Sequence, residues 1–361
     1  MAKVLVGYSC SVKPGENVMI QATGADSQIV ASIVREVYAA GGRPFVNIGD
    51  PRISREILSV MTPESAKFAA ECEMYRMRKI QCYIAIRGGE NSFELSDVPA
   101  EKINLFNQIM MPVQNYRVQN TKWVILRYPT QGMAQQAGMS TTAFENLYFD
   151  VCTLDYAKMD RAMNPLVSLM RKTDKVRISA EGTDLTFSIK DIGVVKCSGE
   201  RNIPDGEIYT APVKTSVNGF ITYNAPSIRH GIKFENVRLV FRKGKIIEAT
   251  ANNTEKLNEF LDIDAGARYI GEFAMGVNPH IKKPMGDILF DEKISGSIHF
   301  TPGKCYKETD NGNKSAEHWD LVQIHTPEYG GGEIWFDDVL IRKNGRFVLP
   351  ELEGLNPENL I

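Results

Sequence analysis

The chain has 361 residues, 43% hydrophobic and 24% charged, with 29 Gly and 17 Pro. At roughly 100–200 residues per domain this is a folded chain of about two domains, which excludes a disordered, collagenous or disulfide-stapled minimal scaffold. Lys and Arg number 42 against 44 Asp and Glu, a net charge of −2, so no whole-molecule field draws in nucleic acid or an anionic membrane.

The opening stretch Met1–Ser9 is apolar but short and lacks the continuing core and cleavage site of a secretion signal. No apolar run reaches the roughly 18–20 residues of a membrane span, so the expected setting is the cytoplasm. Asn17–Gln21 reads as a strand, and Ser27–Ala40 carries apolar positions at helical spacing before the Gly41-Gly42 stop. Pro44–Ile48 reads as the next strand, which completes a β-α-β unit. Helices are expected over Pro63–Met77 and Ala100–Gln114, and strands over Gln81–Ile86 and Trp123–Arg127. The N-terminal domain is therefore expected to be α/β, with a mainly parallel sheet. It contains no G-x-G-x-x-G and no P-loop pattern, so dinucleotide or nucleotide binding has no support.

A long helical stretch, Thr142–Lys172, carries an expected break at Pro165. After it the texture changes to hairpins. Val176–Ser179 and Leu185–Ile189 flank a Gly-containing turn; Val237–Phe241 and Lys245–Ala251 flank Lys243-Gly244; Val339–Arg342 and Arg346–Leu349 flank Asn344-Gly345. The boundary is placed at residue 173, giving an α/β domain over 1–173 and an α+β domain rich in antiparallel hairpins over 174–361.

Six cysteines, at 10, 72, 82, 152, 197 and 305, form no C-x-x-C pair; they read as reduced thiols rather than a zinc or redox motif. All five histidines, at 230, 280, 299, 318 and 325, fall in the second domain. If His318–Ile324 is a strand, its period of two puts His318 and Asp320 on one face, where they could share a metal ion, and Trp319 on the other. In Ser297–Phe300 the same alternation sets His299 apart from Ile298 and Phe300. The plainer reading of these histidines is a hydrogen-bonded side chain in a half-buried strand. Glu272 lies among apolar residues, where an isolated carboxylate must neutralise or find a cation. Glu207, just after Pro204-Asp205-Gly206, passes as a solvated turn residue. Cys305 has no special context beyond Tyr306, and Tyr329–Gly332 reads as an ordinary glycine-rich turn.

Taken together, Asn202–Pro212, Ala267–Glu272, His299 with Tyr306, and His318-Trp319-Asp320 resemble, in residues and in order, the aminopeptidase T (thermophilic aminopeptidase) family of metallopeptidases. The likeness reaches into the first domain through Val12–Val18 and Ala134–Ser140. It implies two divalent metal ions, Zn, Co or Mn, with Glu207, Glu272, His299, His318 and Asp320 as ligands. It also implies Tyr306 close to the reacting carbonyl, a short peptide as substrate and a homodimer; of the carboxylates Glu272 is the expected base for the attacking water, because its apolar surround raises its basicity, and Tyr306 the expected hydrogen-bond donor to the oxyanion. The sequence departs from the family pattern at Thr301-Pro302 and in a shortened stretch between Tyr306 and His318. Dihydroxypyridine ring-cleaving dioxygenases also resemble this family, and His299, His318 and Asp320 could form a facial triad for one non-haem Fe(II). That site needs neither glutamate. A non-catalytic binding protein that keeps the fold is the third reading.

Overall fold

The computed structural model describes residues 1–91, 94–229 and 232–361; His230 lies outside them. The chain divides into two compact units, Met1–Thr153 with Gly199–Pro204, and Leu154–Ser198 with Asp205–Ile361.

The first unit opens with a turn of π-helix, Val4–Ser9, that the sequence reading did not anticipate. It continues through β1 (Asn17–Thr23), α1 (Ser27–Ala39), β2 (Arg43–Gly49), α2 (Pro51–Val60), α3 (Pro63–Met77), β3 (Cys82–Arg87), α4 (Ala100–Asn120), β4 (Lys122–Arg127), α5 (Gln131–Gln136) and α6 (Thr141–Cys152). The strands pair in parallel in the order β2-β1-β3-β4. Helix starts follow their caps: the Asp26 side chain accepts from the Gln28 amide at 2.6 Å, and Thr62 and Ser65 form a reciprocal capping box ahead of α3. β2 is an edge strand with Phe45, Val46 and Ile48 exposed, and α2 exposes Ile53, Ile57 and Val60.

The expected break at Pro165 is not where the helix ends. The chain leaves α6 at Thr153, and Asp155 caps a new helix, α7 (Tyr156–Met170), accepting from the Lys158 amide at 2.9 Å. Pro165 sits inside α7. A proline deprives a helix of one backbone donor, whereas the Asp155 cap gives α7 a better start. Pro112 is likewise carried inside α4.

The second unit then runs through β5 (Lys175–Ala180), β6 (Thr183–Ser188) and β7 (Val195–Cys197). Next comes β8 (Asn202–Ile203), which belongs to the first unit and pairs in parallel with β4. It is followed by β9 (Glu207–Thr210), β10 (Asn218–Thr222), β11 (Ser227–Arg229), β12 (Ile232–Phe234), β13 (Arg238–Arg242), β14 (Lys245–Thr250), α8 (Thr254–Leu261), β15 (Ile270–Gly276), α9 (Ile288–Asp291), β16 (Ser297–Pro302), β17 (Val322–Ile324), β18 (Gly332–Phe336), β19 (Val339–Lys343) and β20 (Arg346–Phe347). Two antiparallel sheets dominate, in the orders β14-β13-β10-β6-β5-β18-β19-β20 and β17-β16-β15-β9-β7. Lys243-Gly244 and Asn344-Gly345 both take positive φ, 48° and 84° in one pair and 50° and 78° in the other. This left-handed pairing matches strand twist in a tight hairpin.

β15 and β16 are buried along their whole length. One face of this sheet carries Phe273 and Phe300 into the core, where both rings pack on Phe187 at centroid distances of 5.0 and 5.1 Å. The other face carries the polar residues described next.

Candidate metal centre

Strand register gathers most of the site. Glu272 lies opposite Thr301 and Ala274 opposite His299 across β15 and β16; Ala274 faces Tyr209 and Gly276 faces Glu207 across β15 and β9; Cys197 faces Glu207 across β7 and β9. Paired residues in a ladder share a face, so Cys197, Glu207, Tyr209, Glu272, His299 and Thr301 line one surface. Ala274 and Gly276 between them leave room for larger neighbours. Glu207 is therefore not the solvated turn residue its local sequence suggested: it is 6% exposed.

The turn before it is pinned from several sides. The Asp205 amide donates to Tyr156 Oη at 3.2 Å, Asn278 Nδ2 donates to the Asp205 carbonyl at 2.8 Å, and the Val277 amide to the Gly206 carbonyl at 2.9 Å. Gly206 has φ +132°, and a Cβ there would meet the Asn278 backbone at 3.1 Å, so the close approach requires glycine.

His318 and Asp320 arrive differently from expectation. The strand starts only at Val322; His318 makes an isolated bridge to Gly303, and the Trp319 amide donates to the Pro302 carbonyl at 3.1 Å. The alternation still holds. Trp319 turns inward, 2% exposed, with its Nε1 donating to Ser227 Oγ at 2.9 Å and its ring against Phe234 and Phe260. With Trp319 anchored there, its two neighbours project to the opposite side.

Four side chains converge around Glu272. Its Oε1 is 2.9 Å from His299 Nε2 and its Oε2 is 3.6 Å from His318 Nε2. Glu207 Oε2 is 3.4 Å from His299 Nε2, and Asp320 Oδ1 is 3.3 Å from His318 Nε2. His318 Nδ1 donates to the Lys304 carbonyl at 2.8 Å, which fixes the tautomer and leaves Nε2 facing the carboxylates. Thr301 Oγ1 donates to Asp320 Oδ1 at 2.7 Å. The buried Oε2 atoms of Glu207 and Glu272 accept no hydrogen bond, an expensive arrangement for an anionic oxygen unless a cation faces it.

The sequence reading missed Glu292 and Lys293. Lys293 is 1% exposed, with Nζ 2.6 Å from both Glu207 Oε1 and Glu292 Oε1 and 3.8 Å from Asp205 Oδ1. Ligand atoms of Glu207, Glu292 and His299 lie within 4.8 Å of one another, as do those of Glu272, His318 and Asp320. Each trio could hold one metal ion. A third such group, Cys197, Asp205 and Glu207, adjoins the lysine.

The electrostatics follow from burial and crowding. Burial raises the Glu272 carboxyl, partly offset by His299. Burial would lower both imidazoles, but Glu207 and Glu272 push His299 up to about 10, and Asp320 with Glu272 pushes His318 up to about 9. Asp320 is held below its usual range: burial opposes this, and the His318 charge overcomes it. Burial and the nearby Glu207 lift Glu292 to about 8 against the opposing Lys293. Asp205, Glu207 and Glu292 thus face the Lys293 ammonium, while Glu272 and Asp320 lie against the two imidazoles.

Tyr306 sits at the rim, its ring centroid 5.0 Å from that of His318 and 5.7 Å from that of Tyr209. His325 lies elsewhere, hydrogen-bonded to Gln323 at 2.9 Å. It is a buried, hydrogen-bonded core histidine.

A family model described as Thermophilic metalloprotease (M29) matches residues 1–347. Aminopeptidase T of Thermus thermophilus is 24% identical over 357 residues, covering 88% of this chain and 86% of that protein. Aminopeptidase PepS of Streptococcus thermophilus is 24% identical, covering 89% and 86%, and aminopeptidase AmpS of Bacillus subtilis 24%, covering 89% and 87%. The solved structure of wild-type AmpT from Thermus thermophilus shares the fold, with a TM-score of 0.78 at 21% identity over 96% of this chain and 98% of that one.

Proposed function

The chain belongs to the thermophilic metalloprotease family M29, and from that premise we propose that it is a metal-dependent aminopeptidase that removes N-terminal residues from short peptides. One observation carries the reading: Glu272 offers one oxygen to each of two imidazoles, Oε1 to His299 and Oε2 to His318. That placement suits a carboxylate shared by two divalent ions. Glu207 and His299 would join it in holding one such ion, and His318 and Asp320 in holding the other. The mixed oxygen and nitrogen donors suit Zn, Co or Mn. When bound, such ions acidify a water and polarise the scissile carbonyl.

The chain's own residues supply the rest. As a ligand to both ions Glu272 would not be free to take the water's proton, so the ligand role is the one assigned to it. The proton acceptor assigned is Glu292, the remaining carboxylate beside His299. Tyr306, a donor at neutral pH, is assigned the hydrogen bond to the oxyanion. The names of the relatives, all aminopeptidases, support the peptide as substrate. The exposed apolar strip on β2 and α2 supports a homodimer through that edge. Six free thiols support a reducing compartment, the cytoplasm.

The deciding experiment counts metal per chain in purified protein, then assays the loaded form on dipeptides and on hydroxylated aromatics. Two Zn, Co or Mn ions with release of an amino acid are expected. One iron with oxygen uptake would overturn the reading in favour of a triad of His299, His318 and Asp320.

A further inference from the structure

Lys293 is a costly residue for its position. Its backbone is fixed on both sides, with the amide donating to the Phe290 carbonyl at 3.0 Å and the carbonyl accepting from the Asn278 amide at 3.0 Å. Its side chain is 1% exposed. Withdrawing an ammonium from water costs several kcal/mol unless its partners are placed to compensate. Three carboxylates do so here: Glu207 and Glu292 at 2.6 Å and Asp205 at 3.8 Å.

The contact to Glu207 is selective. Nζ takes Oε1, while Oε2 lies 3.4 Å from His299 Nε2 and accepts no hydrogen bond. We propose that Lys293 is a positioning residue of the metal centre: its ammonium clamps Oε1 of Glu207, so that Oε2 alone faces an ion held beside His299. The inference rests on the two-ion reading above and concerns only one of the two positions. Among the described residues the ion pairs of Lys293 are with Asp205, Glu207 and Glu292 and not with Glu272, His318 or Asp320, so the second position is not expected to depend on the clamp. The lysine also lowers the charge of the cluster by one without using a donor that an ion needs. Without it, Glu207 is free to rotate or to turn both oxygens toward the ion, and Glu292 loses its cationic partner.

The test is equilibrium binding of Co(II) to the full chain by chelator competition, with the absorption spectrum of the bound ion recorded alongside. Wild-type protein, Lys293→Met and Lys293→Arg are compared after thermal melting confirms that each is folded. Wild type is expected to take up two ions. Lys293→Met is expected to keep one with unchanged affinity and to bind the other roughly 10- to 100-fold more weakly, the effect typical of losing a side chain that orients a ligand, with an altered spectrum for that ion only. Lys293→Arg keeps the charge and is expected to fall between the two; it carries the test if the methionine variant does not fold. Two ions bound at wild-type affinity with unchanged spectra in either folded variant would overturn the clamp. A wild type that takes up no Co(II) would overturn the metal reading itself, a distinct result.

Discussion

Loading this site with divalent ions must displace protons. In the ion-free protein His299 titrates at about 10 and His318 at about 9, because the charges of Glu207, Glu272 and Asp320 outweigh the effect of burial. Both imidazoles therefore carry a proton at pH 7, and a metal ligand must be neutral at its coordinating nitrogen. Deprotonating groups with those values at pH 7 weakens the apparent affinity for the pair of ions by about five orders of magnitude, or about 7 kcal/mol. Two protons should leave per pair of ions. The overall binding constant should rise about 100-fold per pH unit between pH 7 and 9, then flatten as the histidines titrate by themselves. Calorimetric titration of Zn or Mn at pH 7 in two buffers of different ionisation enthalpy gives the proton count directly. Release of less than about one proton per pair, or a binding constant that changes less than about tenfold per pH unit, would refute the coupling of these imidazoles to the carboxylates.

The same groups set the stability of the ion-free protein, with the opposite trend. The two histidine values are raised on folding, so their contribution is whole below about pH 6.5 and is lost as pH climbs through 9 to 10; Asp320 is lowered, so its contribution is present above about pH 4 and lost on acidification. Melting temperature of chelator-treated protein should peak between about pH 4 and 6.5, and a profile rising toward pH 9 would contradict the assignment. Glu272→Gln should abolish tight binding of both ions, whereas Glu292→Gln should keep the ions and lower kcat roughly 10²- to 10⁴-fold; metal analysis beside peptide hydrolysis separates the two, and an Glu272→Gln enzyme with full metal and full turnover would remove Glu272 from the site. Phe300→Ala opens the packing shared with Phe187, Phe273 and Phe241 and should cost about 3–5 kcal/mol by denaturant unfolding; a loss under about 1 kcal/mol would show that this layer is not the support of the site. Ile57→Glu, on the exposed face of α2, should halve the mass found by sedimentation without lowering the melting temperature, and an unchanged mass would exclude that face as the dimer contact.

What the sequence made legible follows from the range of the interactions involved. β1 to β4, α1, α3 and α4 could be read because each carries its own signal, such as periodicity, a cap or a glycine stop, whereas α2 was not read from the sequence. The helix break was misplaced because Pro165 is conspicuous, while the Asp155 cap acts through one hydrogen bond to Lys158. His318 and Asp320 share a side, although not as strand residues. Their alternation comes from Trp319 being anchored inward by Ser227, Phe234 and Phe260, contacts about 60 to 90 residues away that no local pattern reveals. Thr301 looked like a departure from the family pattern, yet its hydroxyl holds Asp320.

Lys293 shows why the remainder was hidden. Lysine is among the residues least often buried, and Asp291-Glu292-Lys293 reads as an ordinary charged turn. Its character depends on Asp205 and Glu207, brought against it by the register of β9 on β15 and by the turn through Gly206. The energetic reason to bury it appears only when all three carboxylates are in place, because each taken alone would leave the ammonium undercompensated. A single strand-register slip of one residue in β9 would send Glu207 to the opposite face, leaving Lys293 with its neighbour Glu292 and the more distant Asp205. The clamp is therefore a property of the assembled sheet, and it should be absent from any partly folded form in which β9 has not yet paired with β15.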